Sequence, residues 1–113
     1  MLQVREQQQT KILALTGQFT HDTKIDIQML ILAAKETGYQ HIVLNFSRVT
    51  EIDSTSLSEL FLWYHNIKPN HPPISVVKPP SYIRYHSDWL HLQEIVSIYA
   101  SEKEAVEDAE SRG

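Results

Sequence analysis

The chain has no cysteine, only three glycines and no run of lysine or arginine. Without cysteine there is no disulfide staple, no thiol nucleophile and no Cys-based zinc site, which accords with a reducing compartment. So few glycines leave no Gly-rich loop to cradle a phosphate, and nucleotide hydrolysis has no motif in its favour. The formal net charge of -4 is mildly acidic, and a chain without basic runs lacks the electrostatic footprint of a nucleic-acid binder. No direct nucleic-acid contact is expected. The apolar runs, such as Met29 to Ala34, are too short to cross a bilayer, and the opening "MLQVREQQQT" holds no apolar leader segment. The expectation is a cytoplasmic protein without membrane insertion.

What is present suits one globular domain over 1–113: of 113 residues, 42% are hydrophobic, enough for a core of its own. "LQVRE" and "KILALTG" (Lys11 to Gly17) alternate as strands around a polar "QQQT" turn, so the chain opens with a hairpin. "THDT" supplies N-caps for a first helix, whose Ile27, Leu30, Ile31 and Ala34 recur at i, i+3, i+4, i+7, and Gly38 ends it. "HIVLNF" (His41 to Phe46) is a short apolar run rich in β-branched residues, the pattern of a central strand covered on both faces. Leu57, Leu60, Phe61 and Tyr64 predict a second helix, stopped by "KPNHPP".

"ISVV" adds a strand, Ser81 to His91 a third helix, and "EIVSIY" a last strand. "SEKEAVEDAE" opens with Ser101 and Glu104 in capping-box spacing, turns Ala105, Val106 and Ala109 inward, and is expected to fray over 107–113. The order predicts an α/β fold, a small mixed sheet with about four helices packed on it.

"VTEIDSTSLSEL" (Val49 to Leu60) sets three hydroxyls behind an aspartate at the start of the second helix. The structural explanation is capping: one of Asp53, Ser54, Thr55 or Ser56 accepts the free N–H groups, and Ser56 with Glu59 has capping-box spacing. A cap uses one side chain and contributes about 1 kcal/mol, so at least one other hydroxyl is left to face water at a positive helix end. The functional explanation is a phosphoacceptor. A helix N-terminus tolerates a phosphate, whereas a partner docked over it must desolvate a dianion beside Asp53.

These residues carry a resemblance. "LTGQFTHDT", "HIVLNFSRVTEIDSTSL", the Ile74 to Val77 strand and "SEKEAV" are similar in order and spacing to the STAS domain of anti-sigma factor antagonists, over nearly the whole chain. "IDSTSL" resembles that family's Asp-Ser-Ser/Thr-Gly-Leu. The resemblance implies a STAS-like fold and a non-enzymatic, partner-switching role without cofactors. It implies phosphorylation of Ser54 by a Ser/Thr kinase of the GHKL type, itself often the anti-sigma factor, and removal of the phosphate by a cognate phosphatase. Asp53 would help present the serine, with Thr55 and Ser56 as secondary hydroxyls. The sequence departs from the pattern at Ser56, where the family has Gly and where a side chain would limit a partner's approach. It departs also at Thr20, commonly acidic, and at His91, commonly small. The alternative within the family is a constitutive interaction subunit of a lipid-transporting ABC permease, without phospho-control.

Further candidates lie on the helices. Thr20 and His21 flank the start of the first. Ile25, Met29 and Leu32 form a second apolar stripe on it, opposite the first, as in a sandwiched helix or an interface, for which a homodimer is one occupant. Trp63 falls off the buried stripe of the second helix, either as a contact residue or packed against a neighbouring segment. Six histidines are scattered, and the nearest pair, His86 and His91, has i, i+5 spacing that does not share a helix face. No metal site is expected.

Overall fold

Residues 2–79 and 96–112 are described by the computed structural model of the chain. Leu2–Gln7 (β1) and Thr10–Phe19 (β2) pair antiparallel from Gln7↔Thr10 to Leu2↔Leu15, the expected hairpin. His21–Glu36 (α1) follows, then His41–Ile52 (β3), Ser54–Ile67 (α2), a 3-10 turn at Lys68–Asn70, Ile74–Val77 (β4), Ser97–Tyr99 (β5) and Glu102–Arg112 (α3). The five strands form one sheet in chain order, parallel everywhere except at the hairpin. The mixed sheet and its order of elements agree with the sequence reading. Three α-helices are present among the described residues; the helix expected at 81–91, with His86 and His91, lies outside them, as do residues 94–95 of the last expected strand.

Right-handed crossovers that advance in one direction across a parallel sheet put successive helices on the same face. Accordingly α1 and α2 share a core with one side of the strands: Ile27, Ile31, Leu57, Leu60 and Tyr64 pack on Leu13, Leu15, Ile42, Leu44 and Val76. The alternation of side chains along a strand sends Ile12, Val43 and Val77 to the opposite side, where Ala105 and Val106 of α3 cover them. The first half of β3, with Ile42, Val43 and Leu44, is buried on both sides, as its unbroken apolar run implies.

Local chemistry sets the ends of α1. Thr20 caps it reciprocally with Thr23. At the other end Gly38, at φ 87°, takes the left-handed position after the cap, with Gly38 N–H donating to Lys35 O and Tyr39 N–H to Ala34 O. That is the paired closure glycine permits without a Cβ penalty.

One expectation needs correction. β3 does not stop at Phe46 but runs to Ile52, alongside a β2 that reaches Phe19, with register shifts between Ala14 and Thr16 and between Gly17 and Gln18. Residues 47–51, polar except for Val49, which packs against the core, are held there by pairing with the neighbouring strand, and Gly17 (φ 83°) sits at the second shift. α3 extends to Arg112 through the residues expected to fray; Ala109 is buried in it and Gln7 donates to Glu110 at 3.2 Å.

α3 is tied down at its start. Nη2 of Arg5 on β1 lies 2.6 and 2.7 Å from the two carboxylate oxygens of Glu102, and Nδ2 of Asn45 on β3 donates to Oε2 at 2.9 Å. Burial pushes the Glu102 carboxyl up, but the hydrogen bonds from Arg5 and Asn45 and the Arg5 charge outweigh it and hold the group below its ordinary value. A depressed carboxyl contributes stability that is complete above the unfolded pKa of about 4.3 and is lost as pH falls through the folded value. Glu102→Gln is therefore expected to flatten the fall of melting temperature below about pH 5 relative to the unsubstituted protein, measured by thermal melts across pH; parallel profiles would show the clip to be energetically idle.

Candidate functional site

β2 and β3 end together. The last paired residues are Phe19 and Ile52, and the next N–H, that of Asp53, donates to Phe19 O at 2.9 Å. This bond sets the caps of the two helices, Thr20 for α1 and Asp53 for α2, side by side at the carboxyl edge of the sheet. Both helices thus open their N-terminal N–H groups toward the same edge, where the aligned peptide dipoles favour negative charge.

The structure selects among the four capping candidates. Asp53 is the N-cap: its Oδ1 accepts from Thr55 N–H at 3.1 Å and from Ser56 N–H at 3.2 Å, while its carbonyl accepts the first helical bond from Leu57 N–H. Ser54 is consequently the first residue of α2 and is relieved of capping duty. It is half-buried, and among the described residues no hydrogen bond engages its hydroxyl. Thr55 is exposed beside it.

Ser56 differs from expectation. It is only 2% exposed, because its position, in the first turn, rotates the side chain toward the sheet along with Leu57 and Leu60. It is neither a cap nor part of a surface a partner could touch, and the helix begins too early for a capping box with Glu59. Its side chain points inward, so the departure from glycine places no obstacle on the outer side of this turn. No loop precedes α2: Asp53 alone separates β3 from the helix.

The remaining candidates separate into two groups. Thr20 and His21 are exposed at the same edge as Asp53 and Ser54. Ile25, Met29 and Leu32 are exposed along α1, away from that edge for most of their length. Trp63 is half-buried and packs against the core shared by α1 and α2, so packing accounts for it. Its neighbour Leu62, which the sequence reading passed over, is the exposed apolar residue of α2 at 65%; its place opposite Leu57, Leu60, Phe61 and Tyr64 on the helical wheel is the signal that marks it. A buried Lys24 on α1, paired to Glu59 of α2 at 3.2 Å, joins the two helices.

This arrangement separates stability from reactivity. Asp53→Ala should lower stability by about 1 kcal/mol and Asp53→Asn should recover most of it, since an amide oxygen also caps; Ser54→Ala should stay within about 0.5 kcal/mol of the unsubstituted protein. Urea denaturation of the three variants measures this, and a Ser54→Ala loss as large as that of Asp53→Ala would show Ser54 to be the structural cap.

A family model of the STAS domain matches residues 1–105. No curated protein matches the sequence. By fold the chain is similar to the anti-sigma factor antagonist SpoIIAA in its unphosphorylated form, with a TM-score of 0.73 at 18% identity, covering 100% of this chain and 99% of that one. It is also similar to phosphorylated SpoIIAA, a Bacillus cell fate determinant, with a TM-score of 0.66 at 18% identity over 96% of this chain and 98% of the other. An anti-sigma factor antagonist from Mycobacterium paratuberculosis gives 0.75 at 16% identity over 97% and 93%. At such identities the structural likeness speaks for the fold, and the match of the domain model along 1–105 speaks for membership: the chain belongs to the STAS domain family.

Proposed function

We propose that the protein is a non-enzymatic regulator of the anti-sigma factor antagonist type, whose binding to a protein partner is switched by phosphorylation of Ser54. The observation that carries this reading is the division of labour at the head of α2. Asp53 holds the cap, so the Ser54 hydroxyl is available at a helix N-terminus without a structural task.

The physical consequence is a switch that leaves the fold intact. Phosphorylation of Ser54 adds about -1.5 to -2 charge at neutral pH, at the end of a helix with no acidic residue in its first turn. The dipole and the exposed edge accommodate that charge, with α1 and α2 unaltered behind it. A partner seated over Thr20, His21, Asp53, Ser54 and Thr55 would instead have to desolvate the dianion next to the Asp53 carboxylate, which costs several kcal/mol unless the partner supplies matching cations. The partner implied is a Ser/Thr kinase of the GHKL type acting in the manner of an anti-sigma factor, with a phosphatase to reset the switch. The solved relatives support the reading to the extent that SpoIIAA is known in unphosphorylated and phosphorylated forms.

The test is a pair of substitutions measured against the cognate kinase-type partner by titration calorimetry. Ser54→Ala keeps binding within about twofold, while Ser54→Asp weakens it by about tenfold or more, corresponding to at least about 1.4 kcal/mol. Equal affinities for the two variants would reject the switch.

A further inference from the structure

We propose that the outer face of α1 is a second docking surface, distinct from the Ser54 edge, and that its occupant is a basic amphipathic segment of a partner protein. Ile25, Met29 and Leu32 are 42%, 65% and 42% exposed. Their i, i+4, i+7 spacing aligns them in one ridge about 10 Å long, on the side of α1 opposite Ile27, Ile31 and Ala34, which are buried against the sheet. The fold needs only the inner stripe. Leu62, 65% exposed on α2, lies opposite that helix's buried stripe and is not part of the ridge.

Charge decides what the ridge accepts. Asp22, Asp26 and Glu36 flank it, all exposed, and among the described residues none of them has an ion-pair partner. Of the two lysines of α1, Lys24 is buried and occupied by Glu59, and Lys35 stands in the last turn, far from Asp22 and Asp26. A second copy of this chain would bring the same carboxylates face to face, and an anionic bilayer would meet them with like charge; both arrangements are repulsive. Apolar side chains spaced along a helix, bordered by Lys or Arg, satisfy ridge and rim together. Both ends of α1 are held by local bonds, the Thr20 and Thr23 cap and the closure at Gly38, so the ridge is formed before a partner arrives.

This surface does not depend on the phosphoswitch, and its test is made on full-length, isotope-labelled protein carrying Ser54→Ala. The probes are two synthetic amphipathic helical peptides, one of Leu and Lys, the other of Leu and Glu in the same pattern. The Leu/Lys peptide is expected to shift the amide resonances of residues 22–36, with affinity falling at least about fivefold for Met29→Gln and again for the Asp22→Asn, Asp26→Asn double variant. Raising salt from about 50 to about 300 mM should weaken it further. Unchanged melting temperatures verify that these exposed substitutions leave the fold intact. Failure of the Leu/Lys peptide to shift α1, equal binding of the Leu/Glu peptide, or shifts centred on residues 53–56 would each overturn the proposal. So would self-association of the free protein in sedimentation that Met29→Gln abolishes, since a second copy would then be the occupant.

Discussion

Everything proposed for the head of α2 depends on one carboxylate. Asp53 accepts two N–H groups through its side chain and one through its carbonyl, while its own N–H is fixed to the end of β2. Four bonds on a single residue join strand, neighbouring strand and helix without an intervening loop. The consequence is positional: Ser54 is fixed as the first helical residue, and Ser56 is turned into the core. A different cap would move the hydroxyls by one position around the helix, about 100° each, and would exchange which of them faces outward.

The sheet divides its duties between its faces. On one side α3 is clipped to β1 and β3 through Glu102, and Tyr99 donates to Asp108, so the C-terminal helix serves to close the domain. On the other side α1 and α2 are joined by the pair of buried Lys24 and exposed Glu59 and present their N-termini at one edge and their outer faces to the surroundings. The features proposed to meet partners, the Ser54 edge and the α1 ridge, both belong to this second layer. Substitutions there can alter recognition at little cost in stability, because the residues involved are exposed and the cap and core are supplied by others.

The sequence made most of this architecture legible because its helices and inner strands are strongly periodic. Ile27, Ile31 and Ala34, and Leu57, Leu60 and Tyr64, bury as their spacing predicts. Residues 47–52 are not legible as strand, since "SRVTEI" does not alternate and only Val49 and Ile52 of it reach the core; the extension is carried by pairing with β2. Residue chemistry alone does not say which of four polar side chains takes the cap, so Ser56 stands in the sequence as a cap candidate or a secondary hydroxyl; once Asp53 takes the cap, helical rotation buries Ser56. Trp63 lies off the buried stripe by rotation, yet its large side chain packs back against the core, and the exposed apolar residue is Leu62 beside it. The end of α3 is dominated by glutamates, and its contact with the rest of the domain comes through the buried Ala109 and the bond from Gln7 to Glu110.

The most direct test of the central claim is to treat the protein with the GHKL-type kinase proposed as its partner and map the phosphate by mass spectrometry. The account predicts a single phosphate on Ser54, with none on Ser56, whose side chain is buried. Modification of Thr55 or Ser56 with Ser54 left untouched would contradict it, because the cap formed by Asp53 would then not determine which hydroxyl is offered.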